Sequence, residues 1–215
     1  MRAKSDLIKL HNAIRDRLRR LRVNYRSLPL REPECRRIII SNCVLELDNL
    51  LISSLREFTL STLMRARTKT GHRISVNRKF GSEQEISAFI LQSTNISLYN
   101  RMRPQVLSRD KEPTVRYPKD TEKILSGCAA SNLGSLQRAL ALNSAVFHDI
   151  PTIRNFYAHR NEDTWRKVKN KARSLGLHGV GCAEDLVSGY LPGRPVTMME
   201  DWLNESELFF DELTK

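Results

Sequence analysis

The sequence predicts an all-α fold, and three observations predict it. Apolar residues return at three- and four-residue steps in one segment after another, which is the spacing of a helix face. Ser82-Glu83-Gln84-Glu85 and Thr197-Met198-Met199-Glu200 both have the S/T-x-x-E pattern, in which the hydroxyl caps a first turn and the glutamate reaches back. The one strand candidate, Ile74-Ser75-Val76, is too short to found a sheet. A length of 215 residues suits one domain. The expected organisation is a single unit, 1–215. Its core bundle spans 34–174, an N-terminal helix and linker span 1–33, and a glycine-rich loop and C-terminal helix span 175–215.

Residues 4–24 read as the first helix, with Leu7, Leu10, Ile14, Leu18 and Leu21 on one face. Arg15, Arg17, Arg19, Arg20 and Arg22 lie opposite, as either a solvated basic face or a phosphate-contacting one. Pro29 and Pro33 mark a linker. Residues 34–66 form the longest helix, where Ile40, Val44, Leu47, Leu51, Leu55 and Phe58 make a stripe that Ile39, Leu50 and Leu63 widen. Such breadth predicts packing on more than one side. Glu46 and Asp48 lie within it, either as surface carboxylates or local ion pairs, or as anchors for an arginine.

Residues 65–81 break the pattern with Arg65, Arg67, Lys69, His72, Arg73, Arg78 and Lys79, and with Gly71 and Gly81. This is either an RNA contact or a mobile loop. The Ser82 box opens a helix bearing Ile86, Phe89, Ile90, Ile96 and Tyr99, and residues 101–119 form a basic, proline-containing connector. Helices follow at about 119–130 and 132–148. Asp149-Ile150-Pro151 then ends one pattern and starts a new first turn, where proline is tolerated. The next element is therefore expected to begin near a helix N-terminus, whose free N–H groups favour anions. Asn161 or Asp163 caps a basic helix over 164–174 that carries Trp165, Arg166, Lys167, Lys169, Lys171 and Arg173. The glycines from 176 to 193 form no phosphate-binding pattern. The last helix runs to Leu213; Trp202, Leu203, Phe209, Phe210 and Leu213 are its core or interface residues, and its other side is acidic.

Composition narrows the function. The chain is 40% hydrophobic and 28% charged, ordinary for a globular protein, and carries a net charge of +12. Such basicity points to a polyanion, nucleic acid or an anionic membrane surface. No apolar run of transmembrane length and no signal-peptide pattern stand out, so the expected location is cytoplasmic, without membrane partners. Cys35, Cys43, Cys128 and Cys182 are scattered and read as free thiols. His11, His72, His148 and His178 have no metal-ligand spacing, so neither a metal nor a cofactor is expected.

The most informative stretch is Arg154-Asn155-Phe156-Tyr157-Ala158-His159. Arginine offers a planar fork of donors to phosphate, and histidine is the commonest general acid or base. Together they suffice for phosphodiester chemistry without a metal. On a regular helix Asn155 and His159 share a face, whereas Arg154 points elsewhere. A second copy of the chain is one way to bring the two halves together.

The run from Ile153 to Asn161 resembles the R-x(4–6)-H signature of the HEPN superfamily (higher eukaryotes and prokaryotes nucleotide-binding domains). Asn155 fits the polar residue that often follows the arginine, and Ala158 the small residue before the histidine. The resemblance is specific over these nine residues and architectural elsewhere. It implies a HEPN-like helical bundle and a metal-independent endoribonuclease, a toxin or antiviral-defence effector. The motifs of a homodimer would face each other in one cleft. It implies catalytic roles for Arg154, Asn155 and His159: His159 takes the 2′-hydroxyl proton, Arg154 stabilises phosphoryl charge, and Asn155 sets the imidazole or binds phosphate. Arg160, Arg166, Lys167, Lys169, Arg73 and Arg78 are the candidate RNA-binding residues. In one branch of the family a partner antitoxin modifies a tyrosine two residues after the histidine. Here that position is Asn161, which leaves another antitoxin or a sensor as the possible partner protein. The alternative is a non-catalytic helical module that binds RNA or protein.

Overall fold

The computed structural model describes residues 5–28, 32–102 and 114–215. About 70% of the described chain is helical, and none of it lies in a named strand. The order among these residues is α1 (Leu7–Arg26), α2 (Pro33–Leu63), α3 (Glu83–Thr94), α4 (Ile96–Met102), α5 (Pro118–Gly127), α6 (Leu133–Ala141), α7 (Val146–His159), α8 (Glu162–Ser174), α9 (Ala183–Val187) and α10 (Met198–Leu213). The all-α expectation holds. Ile74-Ser75-Val76 makes no strand; the nearby pairing is limited to single bridges, Asp6 with Arg67 and Arg67 with Arg73. Part of the 101–119 connector falls outside the described residues.

The chain divides into two compact units, and α1, α2 and α10 each contribute to both. Unit 1 comprises 1–14, 52–143 and 209–215. Its core takes Leu7 and Leu10 from α1, Leu55 and Phe58 from α2, Phe89 and Ile90 from α3, and Ile124 and Leu136 from α5 and α6. Buried hydroxyls here are satisfied locally: Thr59 Oγ1 donates to Leu55 O at 2.8 Å, and Asn132 Nδ2 to Thr62 Oγ1 at 2.9 Å. The basic loop after α2 is hydrogen-bonded along its course rather than free. Leu7 N–H donates to Arg67 O, Ile74 N–H to Ala66 O and Asn77 N–H to Cys128 O, and Ile74 and Val76 are buried.

Unit 2 comprises 15–51 and 144–208. Here the basic face of α1 meets the acid of α10. Arg22 Nη2 donates to Asn204 Oδ1 at 2.9 Å and to Glu207 Oε2 at 3.1 Å, and Arg26 pairs with Glu200 at 3.1 Å. Part of the basic stripe is therefore neutralised within the chain, an outcome neither sequence alternative contained. Both hydroxyls cap a first turn, but only the box at Thr197 is reciprocal, with Thr197 N–H donating to Glu200 Oε2 at 3.4 Å. Ser82 Oγ accepts from Glu85 N–H at 3.2 Å, although Glu85 reaches back to Gly81 N–H rather than to Ser82. Thr197 Oγ1 accepts from Glu200 N–H at 3.4 Å.

Three expectations are corrected. The helix expected over the third apolar segment splits at Asn95 into α3 and α4. The helix expected through 148 ends at Ala141, and α7 has already begun by Val146. By length and composition α2 could cross a membrane: its most apolar window has a mean hydropathy of 1.5, of which 56% is buried inside the fold. A helix apolar all round is either buried or spanning. The scattered Glu46, Asp48, Arg56 and Glu57 masked that length in the sequence.

Candidate functional site

The site is built on α7 and α8. Val146 N–H, the first donor of α7, is accepted by Glu205 Oε2 of α10 at 2.9 Å. His148 and Asp149 N–H both return to Ala145 O, so the helix is under way before Pro151. Pro151 lies inside α7. It lacks only its own N–H donor, and the surrounding turns hold. The expectation that the motif begins at a helix N-terminus is therefore overturned. Arg154 sits in mid-helix and His159 is the last helical residue. The partial charge at that end is negative, so α7 offers no N–H cradle for a phosphate. Helix α7 stops at Arg160, which adopts φ 45° and donates its N–H to Phe156 O at 2.7 Å. This is the left-handed cap that glycine usually supplies.

Asn161 then starts α8. Its Oδ1 accepts from Thr164 N–H at 2.9 Å, and Thr164 Oγ1 faces back to Asn161 N–H at 3.3 Å. Of the two caps the sequence offered, Asn161 is the one used. α8 ends at Ser174, and beyond it Gly176, with a φ of 75°, lets Leu177 N–H return to Ala172 O. The α7–α8 pair is held by Ile153, Tyr157, Val168 and Ala172, all buried. The Phe156 and Trp165 rings meet at 5.5 Å between centroids. Asp149, only 3% exposed, pairs with Lys171 of α8.

The motif residues have unequal surroundings. Arg154 is half-buried. Its Nε lies 3.5 Å from Asp48 Oδ2 on α2, and its Nη1 donates to Asn155 Oδ1 at 3.3 Å. The Asp48 side chain is 4% exposed. A carboxylate so buried requires partners, and Arg154 supplies one. Asn155 thus engages the arginine rather than His159, contrary to the role in orienting the imidazole. His159 is exposed at the helix end. Tyr157 is a core residue, with a buried hydroxyl that no hydrogen-bond partner reaches among the described residues. Burial first, and the charge of Glu184 second, push its phenol far above the ordinary value. The Cys182 thiol is pushed up to about 11, by burial above all.

The proposed RNA-binding residues separate in the same way. Arg160 and Lys167 are exposed. Arg166 is exposed but pairs with Asp163 at 2.7 Å, and the Lys169 ammonium lies 5.6 Å from the Trp165 ring centroid. Arg73 and Arg78 belong to unit 1. Arg73 is exposed, and Arg78 lies over the Phe80 and Phe89 rings at 5.5 and 5.0 Å. Ile153 is 0% exposed and so belongs to the core of its own chain. Glu46 is exposed, whereas Asp48 is the anchor; its place between Leu47 and Leu51 on the apolar stripe was the available signal. Glu184, on α9 inside the glycine-rich stretch, had no such signal. Among the described residues no group of three His, Cys, Asp or Glu side chains is arranged to hold a metal ion. Compared with known proteins, the chain matches no family model, no curated protein and no solved structure.

Proposed function

We propose that the chain is a HEPN-type endoribonuclease that cleaves RNA without a metal, a cytoplasmic toxin or antiviral-defence effector working as a homodimer. The single observation that carries this reading is the buried Asp48 carboxylate beneath Arg154, with an exposed His159 on the same helix. An arginine held from below is a preorganised cation, the kind of group that stabilises charge developing in a transition state. In the proposed reaction His159 takes the proton from the 2′-hydroxyl, and that oxygen attacks the adjacent phosphorus. The pentacoordinate phosphoryl oxygens gain charge beside Arg154, and the P–O5′ bond breaks, the 5′-oxygen taking a proton from water to leave as a 5′-hydroxyl and the phosphorus remaining as a 2′,3′-cyclic phosphate. Asn155 orients the guanidinium. Arg160, Lys167 and Lys169 lie on the exposed side of the α7–α8 turn and would track the phosphate backbone.

One observation favours the second reading, a non-catalytic RNA- or protein-binding module. Arg154 and His159 stand about 140° apart around one helix, and Asn155 does not orient the imidazole. A homodimer answers this by placing one copy's arginine opposite the other's histidine. The test combines light scattering with incubation of the protein and its His159→Ala variant with tRNA. A dimer whose cleavage is lost in the variant supports the enzyme. A variant that cleaves like the parent removes His159 from the mechanism.

A further inference from the structure

Unit 1 contains a hollow of about 460 Å³ at the junction of α2 and α3, a volume in the range of small-molecule sites. Leu63, Met64, Phe80 and Ile86 make its apolar surface, and Arg65 and Lys79 bring charge to it. Three features set it apart from an ordinary packing defect. Met64 is 58% exposed beside the buried Leu63, a large apolar side chain left open to a ligand, and methionine adapts readily to flat partners. Arg65 adopts φ 59° where the helix stops, a position glycine normally takes. Its Nη2 donates to Val76 O at 3.1 Å, which draws the guanidinium against the loop that forms the opposite wall. Arg78 lies outside this lining, over the Phe80 and Phe89 rings at 5.5 and 5.0 Å from their centroids. The carboxylates nearby are Glu83, which lines the hollow, and Glu85, which is occupied by the Gly81 N–H at 2.8 Å.

An aromatic and thioether surface beside a cationic rim matches a flat heterocycle that carries an anion. We propose that this hollow binds a nucleotide, with the base against Phe80 and Met64 and the phosphate at Arg65 and Lys79. The ligand chemistry is the same for a free nucleotide and for an unpaired residue of RNA. The site does not depend on the ribonuclease reading, since none of the motif residues lines it.

The test is titration calorimetry on the intact chain with the four ribonucleoside 5′-monophosphates, adenosine, inorganic phosphate, laurate and an uncleavable 2′-deoxy hexanucleotide. Arg65→Gly removes the guanidinium while glycine adopts the positive φ without strain, so the variant keeps the fold; circular dichroism verifies this. Lys79→Ala is the second variant. Saturable binding of a monophosphate is expected, weakened about tenfold or more by each variant, with adenosine and phosphate alone weaker by a similar factor. Mononucleotide binding at least as tight as the hexanucleotide's identifies a free nucleotide. A hexanucleotide that binds more tightly, and loses affinity in both variants, identifies a residue of RNA. The proposal is overturned if neither ligand binds at millimolar concentration, if binding ignores Arg65→Gly and Lys79→Ala, or if laurate binds and nucleotides do not.

Discussion

The two ends of the Arg154–His159 motif share a helix and differ in almost everything else. Arg154 is half-buried, with Asp48 at 3.5 Å and Asn155 at 3.3 Å. His159 is exposed at the helix end, followed by the left-handed Arg160. The inner residue is built into the fold, and the outer one is presented by it. A group fixed in advance suits electrostatic stabilisation, and a group left at the surface suits proton transfer with a substrate that completes its surroundings. Stability and activity should therefore separate along one helix.

The largest expected effect is on that separation. His159→Ala should lower cleavage by about 10²–10⁴-fold, the usual contribution of a general base, and leave the melting temperature unchanged. Arg154→Ala should lower cleavage by about 10²–10³-fold and also destabilise the fold. Breaking a fully buried pair costs about 3–5 kcal/mol. With the Arg154 side chain 34% exposed, solvent screening reduces this to about 2 kcal/mol. Cleavage rates and thermal melts on both variants check the contrast, and equal destabilisation would break it. Asp48→Asn keeps the shape and removes the charge. It should lower kcat by about tenfold with little change in KM, since it acts through the position of Arg154.

Smaller effects probe the rest of the helix. Tyr157→Phe deletes a buried hydroxyl without a partner, so stability should hold or rise by about 1 kcal/mol in a denaturant melt. A loss of more than that would mean the hydroxyl is satisfied. The start of α7 is tied to Glu205, whose carboxyl is raised, by burial first and against the opposing Val146 N–H. A raised carboxyl contributes stability that is fully present below the ordinary glutamate pKa and lost as pH rises through the higher one. Glu205→Gln should therefore shrink the gain in melting temperature seen on acidifying from neutral pH. Glu212 has the opposite sign. Lys215 and then Arg138 lower it, so its contribution is lost as pH falls. Its partners Arg138 and Lys215 lie largely at the surface, so this effect is small and salt-sensitive.

The helices were legible because their signals are local. Apolar spacing marked α1 and α2, hydroxyl–glutamate boxes marked the starts of α3 and α10, and Asn161 marked α8. The start of α7 was not, because its first N–H is accepted by Glu205, nearly sixty positions away. With that partner invisible, Pro151 looked like a beginning. Asp48 was half legible: a carboxylate on an apolar stripe must be paired, but the stripe does not say with what. The short α9 was hidden among glycines. One of them, Gly189, is required by space, since a Cβ there would lie 2.7 Å from Asp185 O. The two-sided burial of α2 followed from its breadth, and the pairing of α1 with acidic α10 needed the tertiary structure.

End-group analysis of RNA cleaved in EDTA probes the proposed metal-independent chemistry at Arg154 and His159. Undiminished cleavage in chelator is expected, with fragments ending in a 2′,3′-cyclic phosphate and beginning with a 5′-hydroxyl. Activity that vanishes in EDTA and returns with magnesium or manganese, leaving 5′-phosphate ends, would contradict it.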